Sequence, residues 1–191
     1  MKQGPTAVNA PTTSHYPTAP TEQRAETHTL SVLVDNEPGV LARVIGLFSG
    51  RGYNIESLTV SETEHAKHQS LITIVTTGTP MVIEQIKNQL DRLVPIHRVV
   101  DMTVAGPSIS RELAMVKVRG KGDHRVEALR LADAFKARVI DATIESFVFE
   151  ITGASDKIEQ FVALMLPLGL VEVARTGIAA IVRGPEGMHA R

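Results

Sequence analysis

The sequence predicts an α+β fold made of two consecutive sandwich domains, in which helices cover one face of a mostly antiparallel sheet. Two observations predict this class. The hydrophobic period of the 191-residue chain switches repeatedly between two and 3.6, as alternating strands and amphipathic helices require. The segment order βαββαβ also recurs after a Gly-Pro break in mid-chain. That order is typical of ferredoxin-like domains, so each half is expected to form one.

The stretch from Leu30 to Leu58 predicts a strand, a tight loop, a helix and the start of a second strand. Apolar residues at every second position indicate the first strand, and Pro38 and Gly39 then break it. Apolar residues at i, i+3, i+4 and i+7 indicate the helix. Its predicted buried face consists of Leu41, Val44, Ile45 and Phe48. The second predicted strand begins with Ile55, Leu58 and Val60.

The remainder of the first half completes the βαββαβ order. Leu71–Val75 predicts a third strand, and Pro80 opens a helix because proline suits a first helical position. The apolar stripe of this helix is Ile83, Ile86, Leu90 and Leu93. Val94–Val104 predicts a fourth strand with polar residues on its outer face, and Ala105–Ser108 predicts the linker between the halves.

The second half repeats the order without visible sequence identity to the first. Strands are predicted at Leu113–Val118, Val139–Ile144, Phe147–Ile151, Leu170–Ala174 and Ile178–Val182. Asp123 and Ser155 are the predicted N-caps of the two helices. The predicted buried stripes are Ala128, Leu131, Ala132 and Phe135 in one helix, and Ile158, Phe161, Val162 and Met165 in the other.

Composition excludes several classes of protein. A hydrophobic content of 43% supports packed cores, whereas a net charge of −1 gives no electrostatic reason to expect nucleic acid or a membrane surface as a partner. With no cysteine in the chain, disulfides and thiolate metal sites are excluded. No apolar run approaches the roughly 20 residues of a membrane-spanning helix. We therefore expect a cytoplasmic protein that binds neither nucleic acid nor membrane.

Residues 1–26 differ in composition from the rest of the chain. Four prolines stand among threonine, alanine and serine there, and almost nothing in this region could enter a core. This composition predicts a disordered tail. The tail lacks the apolar segment of a secretory signal, and an organelle transit peptide is less well supported because Lys2 and Arg24 are its only lysine and arginine.

The loop before the first helix carries the most informative chemistry. A helix that starts near Gly39 presents unpaired N–H groups and the positive end of its dipole, which favour an anion such as a carboxylate. The amides of Asn36 and Asn54 each offer donors and an acceptor, which suits a zwitterion. From these residues alone, the interpretation that Asn36 and Gly39 only shape a turn and that Asn54 only caps one is favoured.

The string DNEPGVLARVIGLFSGRGYNIESL resembles the start of an ACT domain, a small βαββαβ module that binds amino acids. More narrowly, Gly39–Val60 is similar to the regulatory small subunits of acetolactate synthase (acetohydroxyacid synthase). The similarity continues in RELAMVKV at Arg111–Val118, VIDAT at Val139–Thr143 and VEVARTG at Val171–Gly177. It implies an ACT regulatory domain at 27–105 and a C-terminal small-subunit domain at 110–184. The N-terminal tail departs from the compact pattern of the family.

The resemblance implies a regulatory subunit without a catalytic site or cofactor of its own. Its implied partner is a catalytic large subunit that carries thiamine diphosphate, magnesium and FAD and makes acetolactate for valine, leucine and isoleucine biosynthesis. The small subunit would activate this partner and confer feedback inhibition by valine or another branched-chain amino acid, with two ACT domains pairing into a homodimer around the effector. The implied effector-binding residues are Asn36, Pro38, Gly39, Val40, Leu41, Asn54 and Ile55.

Other functional classes find less support in the residues. His65 and His68 could bind a metal, but their segment is polar and lacks helical periodicity, so a solvated hairpin loop is favoured. Arg119–Gly122 lacks the spacing of a phosphate-binding loop. The predicted central strands carry no aromatic residues for stacking RNA bases. An ACT sensor that regulates a different enzyme remains the alternative function.

Overall fold

The structure, a computed structural model, describes residues 24–64, 68–185 and 187–188. Residues 1–23, which form most of the predicted tail 1–26, lie outside the described residues. The described part contains two mixed α/β units, each with an antiparallel sheet, and this confirms the predicted α+β class with two ferredoxin-like sandwiches. No helix in the described part of the chain has the length and apolar character needed to cross a membrane.

The first unit, called the first domain below, runs from Glu26 to Asp101. Its elements are β1 (Glu26–Asp35), α1 (Val40–Arg51), β2 (Ser57–Glu64), β3 (Gln69–Gly78), α2 (Pro80–Leu90) and β4 (Ile96–Asp101). The strands lie in the order β2-β3-β1-β4, with every neighbouring pair antiparallel. Apolar residues of β1 and β3 pack against the two helices on one face of this sheet.

The predicted buried face of α1 is wrong in half of its members. Val40, Val44 and Phe48 are buried, whereas Leu41 and Ile45 are 37% and 39% exposed. Two apolar stripes overlap on this helix. Val40, Val44 and Phe48 form one, and Leu41 and Ile45, each one residue further along, form the other. A helical period alone does not say which of them faces the sheet, and in the structure the stripe that begins at Val40 does so.

The predicted fourth strand is too long at both ends. Val94 is 93% exposed, and Val104 is 67% exposed and donates its N–H to the carbonyl of Asp101 in a turn. β4 pairs with β1 only between Leu30 and Val34 of β1, which limits the ladder to Ile96–Asp101. These two valines are therefore exposed, although they are hydrophobic.

The second unit, called the second domain, runs from Ser108 to Val182. Its elements are β5 (Ser108–Arg119), α3 (Asp123–Ala134), β6 (Arg138–Ala142), β7 (Ser146–Gly153), α4 (Ser155–Met165), a 3-10 turn (Leu166–Leu168), β8 (Leu170–Arg175) and β9 (Ala179–Val182). The order β6-β7-β5-β8 matches that of the first sheet, and β9 pairs with the first four residues of β5. The predicted apolar stripes of both helices line its core.

The predicted N-caps Asp123 and Ser155 are wrong by one position. Gly122 and Ala154 occupy the capping positions, and neither offers a side-chain cap. Ser155 instead donates its hydroxyl to the carboxylate of Glu112, 2.9 Å away, so a long-range contact replaces the local one. Asp123 lies in the first turn, where its charge still favours the positive end of the helix dipole.

The face of the first sheet opposite its helices is also largely buried. Its buried side chains include Ser31, Leu33, Thr73 and Val75. The β8–β9 loop of the second domain lies against this face, where Thr176 and Ile178 make hydrogen bonds to residues of β2. Along β2, the first sheet therefore lies between its own helices and the second domain.

Candidate functional site

The predicted effector residues lie in two loops, one before and one after α1. Asn36, Pro38 and Gly39 form an exposed loop between β1 and α1. Val40 begins the helix and is buried in the core of the first domain, so its side chain serves packing. Leu41 follows it and is partly exposed beside the loop.

Gly39 has the geometry that the sequence predicts for an anion site at a helix start. It occupies the N-cap position with a φ of 89°, and no side chain caps the helix there. Arg43 donates its N–H to the carbonyl of Gly39 at 3.0 Å, whereas the N–H groups of Leu41 and Ala42 find no partner among the described residues. A Cβ added to Gly39 would meet no described atom within 4 Å. The helix start is thus open to a carboxylate.

Asn54 and Ile55 lie beyond the other end of α1. The Asn54 side chain is exposed, and its backbone carbonyl accepts a hydrogen bond from Oγ1 of Thr76 at 2.6 Å. Ile55 is half-buried and packs against the core of the first domain. Asn54 and Ile55 therefore offer a ligand one exposed side-chain amide, that of Asn54, whose backbone is held in place by β3.

A single chain does not bring Asn36 and Asn54 together. The 12 residues of α1 lie between them, which corresponds to about 18 Å along the helix axis. Pairing with β3 gives a similar separation. Asp35, next to Asn36, pairs with Gln69, whereas Asn54 contacts Thr76, which lies seven residues or about 23 Å further along β3. One amino acid cannot touch both asparagines of the same chain.

Sequence reasoning missed an ion pair in the second domain between a buried carboxylate and a partly exposed guanidinium. Glu112 on β5 is 5% exposed, and its carboxylate accepts hydrogen bonds from Nε of Arg175 and from Oγ of Ser155. Burial raises the pKa of Glu112, but these hydrogen bonds and the charge of Arg175 outweigh it, so the net pKa lies below the ordinary value of 4.5. The hydrogen bond with Glu112 raises the pKa of Arg175, and both groups stay charged.

This ion pair lies at the edge of a cavity of about 520 Å³ between the two domains. Glu56 and Val75 line it from the first domain, and Glu112, Glu159 and Arg175 line it from the second. Sequence gave one signal: Arg175 belongs to the string VEVARTG that carries the family resemblance. Nothing in that string indicated that its arginine pairs with β5 or that the next residues contact the first domain.

A second buried pair stabilises the first domain. Nδ1 of His28 on β1 lies 2.7 Å from Oδ2 of Asp101 at the end of β4, and both residues are nearly fully buried. Oδ1 of Asp101 accepts the N–H of Thr103 at 3.0 Å. The pair connects two neighbouring strands beside the core and opens onto no cavity described above, so we assign it a structural role.

The alternative sites from the sequence gain no support from the geometry. His65 lies outside the described residues, and the backbone carbonyl of His68 accepts the N–H of Asn36 at 2.6 Å. In the described part of the chain, no three His, Asp or Glu side chains are placed to hold a metal ion. Arg119 and Lys121 lie 3.9 and 3.3 Å from the Glu145 carboxylate and form exposed ion pairs.

Comparison with known families matches both domains. A family model described as "AHAS small subunit-like ACT domain" matches residues 30–98. A second model, described as "Small subunit of acetolactate synthase", matches residues 111–184. The first match includes every predicted effector residue, and the second includes Glu112, Ser155 and Arg175.

Individual relatives extend over nearly their whole length. The chain is 46% identical over 157 residues to a probable acetolactate synthase small subunit of Archaeoglobus fulgidus, covering 82% of this chain and 97% of the relative. It is 45% identical over 162 residues to the acetolactate synthase small subunit of Mycobacterium leprae, covering 85% and 95%. The crystal structure of the acetolactate synthase small subunit of Thermotoga maritima superposes with a TM-score of 0.76 at 38% identity, covering 84% and 99%.

Proposed function

The chain belongs to the acetolactate synthase small-subunit family, and from that premise we propose that it activates a catalytic large subunit and binds a branched-chain amino acid as a feedback inhibitor. Valine is the proposed effector. The observation that carries the proposal is the coverage of the family matches: both domains match, in the order found in the relatives. The match of residues 111–184 disfavours an ACT sensor for a different enzyme, because that model describes the acetolactate synthase subunit itself.

In this proposal the chain contributes no catalytic group. The large subunit carries thiamine diphosphate, magnesium and FAD and condenses two 2-oxo acids to an acetohydroxy acid. The charged residues of the inter-domain cavity support this division of labour. Glu112 and Arg175 neutralise one another and hold two strands, as a structural ion pair does, rather than leaving a free acid or base for catalysis.

The effector site is proposed to form between two chains. Asn36 and Gly39 lie at the start of α1, and Asn54 lies beyond its end, too far away for one ligand. In a dimer with two-fold symmetry, residue i of one chain contacts residue j of the other and the reverse. An antiparallel pairing of the α1 helices would place Asn36 and Gly39 of one protomer beside Asn54 of its partner, twice per dimer.

The chemistry of this site suits an amino acid. The effector carboxylate would bind the N–H groups of Leu41 and Ala42 at the helix start, where Gly39 leaves space for it. The asparagine amides would bind its remaining polar atoms. A ligand held by two chains stabilises one arrangement of the dimer over others, which is how binding can change the activity of a partner subunit.

Affinity purification from the native cell extract tests the proposed function. The tagged chain is expected to retain a protein that forms acetolactate from pyruvate, and valine is expected to lower the rate of that reaction. The released chain alone should form none. Retention of partners without acetolactate synthase activity would contradict the proposal.

A further inference from the structure

We propose that the loop Thr176–Ile178 is the contact through which effector binding in the ACT domain is transmitted to the second domain. The inference rests on the proposed function and extends it, because it names the structural route of regulation. It starts from the position of β2, which begins only three residues after Asn54 and also provides the surface on which this loop lies.

In the ACT domain, hydrogen bonds to β3 hold the segment between Asn54 and the start of β2 in place. Thr76 donates its hydroxyl to the carbonyl of Asn54, and Glu56 donates its N–H to the carbonyl of Val75 at 2.8 Å. The carboxylate of Glu56 also accepts the hydroxyl of Thr77 at 2.5 Å. A shift of Asn54 on ligand binding is therefore passed to the first residues of β2 and is not absorbed by a loose loop.

The first residues of β2 contact the second domain directly. Oγ of Ser57 accepts the N–H of Ile178 at 3.3 Å, and Oγ1 of Thr59 donates to the carbonyl of Thr176 at 3.4 Å. Gly177 lies between these two hydrogen bonds with a φ of +84°. A Cβ at this position would lie 2.7 Å from Oγ of Ser57 and 2.8 Å from Oγ1 of Thr59, so the close approach requires glycine.

On the second-domain side, the loop is attached firmly to β5 and α4. Thr176 exchanges hydrogen bonds with Leu113: its N–H donates to the Leu113 carbonyl at 3.0 Å, and its Oγ1 accepts the Leu113 N–H at 3.1 Å. The preceding residue, Arg175, forms an ion pair with the buried carboxylate of Glu112, which also binds Ser155 at the start of α4. A displacement of Gly177 thus moves the sheet edge and helix start of the second domain with it.

The cavity beside this contact gives the two domains room to move. About 520 Å³ of open space separates Glu56 and Val75 from Glu112 and Glu159, next to the loop. Close packing across that space would fix the domains as one block. The loop instead provides a hydrogen-bonded contact next to a gap, which suits a hinge with more than one arrangement.

The test uses the full chain reconstituted with its catalytic subunit. Gly177→Ala disrupts this contact, because either the loop or the hydroxyls of Ser57 and Thr59 must move to admit the Cβ. Ser57→Ala removes the acceptor of the Ile178 N–H without adding an atom. Gly184→Ala is the matched control, because Gly184 also has a positive φ of +104° but a Cβ there would meet nothing within 4 Å. Thermal melts confirm that each variant is folded, and Ser57→Ala keeps the test decisive if Gly177→Ala is not.

Two measurements are compared for each variant: calorimetric affinity of the small subunit for valine, and the valine concentration that half-inhibits the reconstituted enzyme. We expect Gly177→Ala and Ser57→Ala to bind valine within about twofold of wild type, while half-inhibition needs about 5- to 150-fold more valine, the usual range of allosteric coupling. Unchanged inhibition in both folded variants would overturn the inference alone. Failure of wild type to bind valine would overturn the proposed function and this inference together.

Discussion

At the residue scale, Gly39 is the position where an added side chain should affect effector binding and leave the other properties of the subunit unchanged. Gly39→Asp places a carboxylate where the effector carboxylate is proposed to bind, so it blocks the helix start by charge and by bulk. Loss of one charge-assisted hydrogen bond costs about 1.5–3 kcal/mol, which predicts roughly 10- to 150-fold weaker valine binding. Calorimetric titration of valine into wild type and variant measures this.

Gly184→Asp controls for the backbone strain of a non-glycine residue at positive φ, because Gly39 and Gly184 both have positive φ and open surroundings. The control should bind valine as wild type does. Equal affinities in wild type and Gly39→Asp would remove this loop from the effector site.

The pair Glu112–Arg175 predicts an asymmetric cost for its two deletions. Arg175→Gln leaves a buried carboxylate without its cation, and breaking a buried pair in this way costs about 3–5 kcal/mol of unfolding free energy. Glu112→Gln leaves a guanidinium that is 37% exposed and can be hydrated, so we expect about 1.5–3 kcal/mol, the worth of hydrogen bonds to a charged group. Urea unfolding at neutral pH measures both values.

The same pair predicts a pH dependence. Because the folded-state pKa of Glu112 is lowered, the pair contributes stability above pH 4.5 and loses it as the pH falls through that lowered pKa. The difference between wild type and Arg175→Gln should therefore be largest at neutral pH and narrow on acidification, since a protonated Glu112 carries no unpaired charge. Lys117→Gln, which removes an exposed ion pair with Glu172, should cost much less stability than Arg175→Gln, because water screens both charges. If the difference in unfolding free energy between wild type and Arg175→Gln stayed constant from neutral to acidic pH, the assignment of a charged Glu112–Arg175 pair would be contradicted.

At the scale of elements, α1 presents an exposed apolar stripe beside the effector loop. Leu41 and Ile45 face away from the core, although the sequence pattern assigned them to it. We expect them to contact the partner protomer, so Ile45→Asp should raise the dimer dissociation constant by about tenfold or more. Sedimentation at several protein concentrations measures this constant. Val126→Asp on α3, where Val126 is 51% exposed, should leave it unchanged.

The elements also show how far sequence reasoning reaches. Periodicity found the helices of both domains because they bury one face, and the apolar stripes of α2, α3 and α4 follow that rule. β6 is an exception, because all of its residues are exposed although its sequence is apolar enough to predict a strand. Periodicity failed where a contact outside the element decides which side chains are buried or which residue caps a helix. The pattern of α1 contains two apolar stripes, and packing on the sheet decides which of them is buried. Ser155 binds Glu112, 43 residues away in sequence, instead of capping its own helix. No local pattern encodes such a contact.

At the scale of the whole molecule, the candidate site was predictable only in part. Resemblance selected Asn36, Gly39 and Asn54, and the fold explains why the proposed site requires two chains: α1 holds the asparagines at its opposite ends. The contact between domains at Gly177 had no predictive signal, because a glycine in a loop does not show what approaches it.

A subunit-mixing experiment tests the central claim, that the effector site joins the α1 start of one chain to Asn54 of the other. Gly39→Asp and Asn54→Ala are each prepared as homodimers, which should bind valine weakly because both sites carry a defect. Their mixed dimer would contain one site with both defects and one site with neither. We predict that mixing restores wild-type affinity at one site per mixed dimer in calorimetry. Exchanged dimers that still bind no better than the parents would contradict the account.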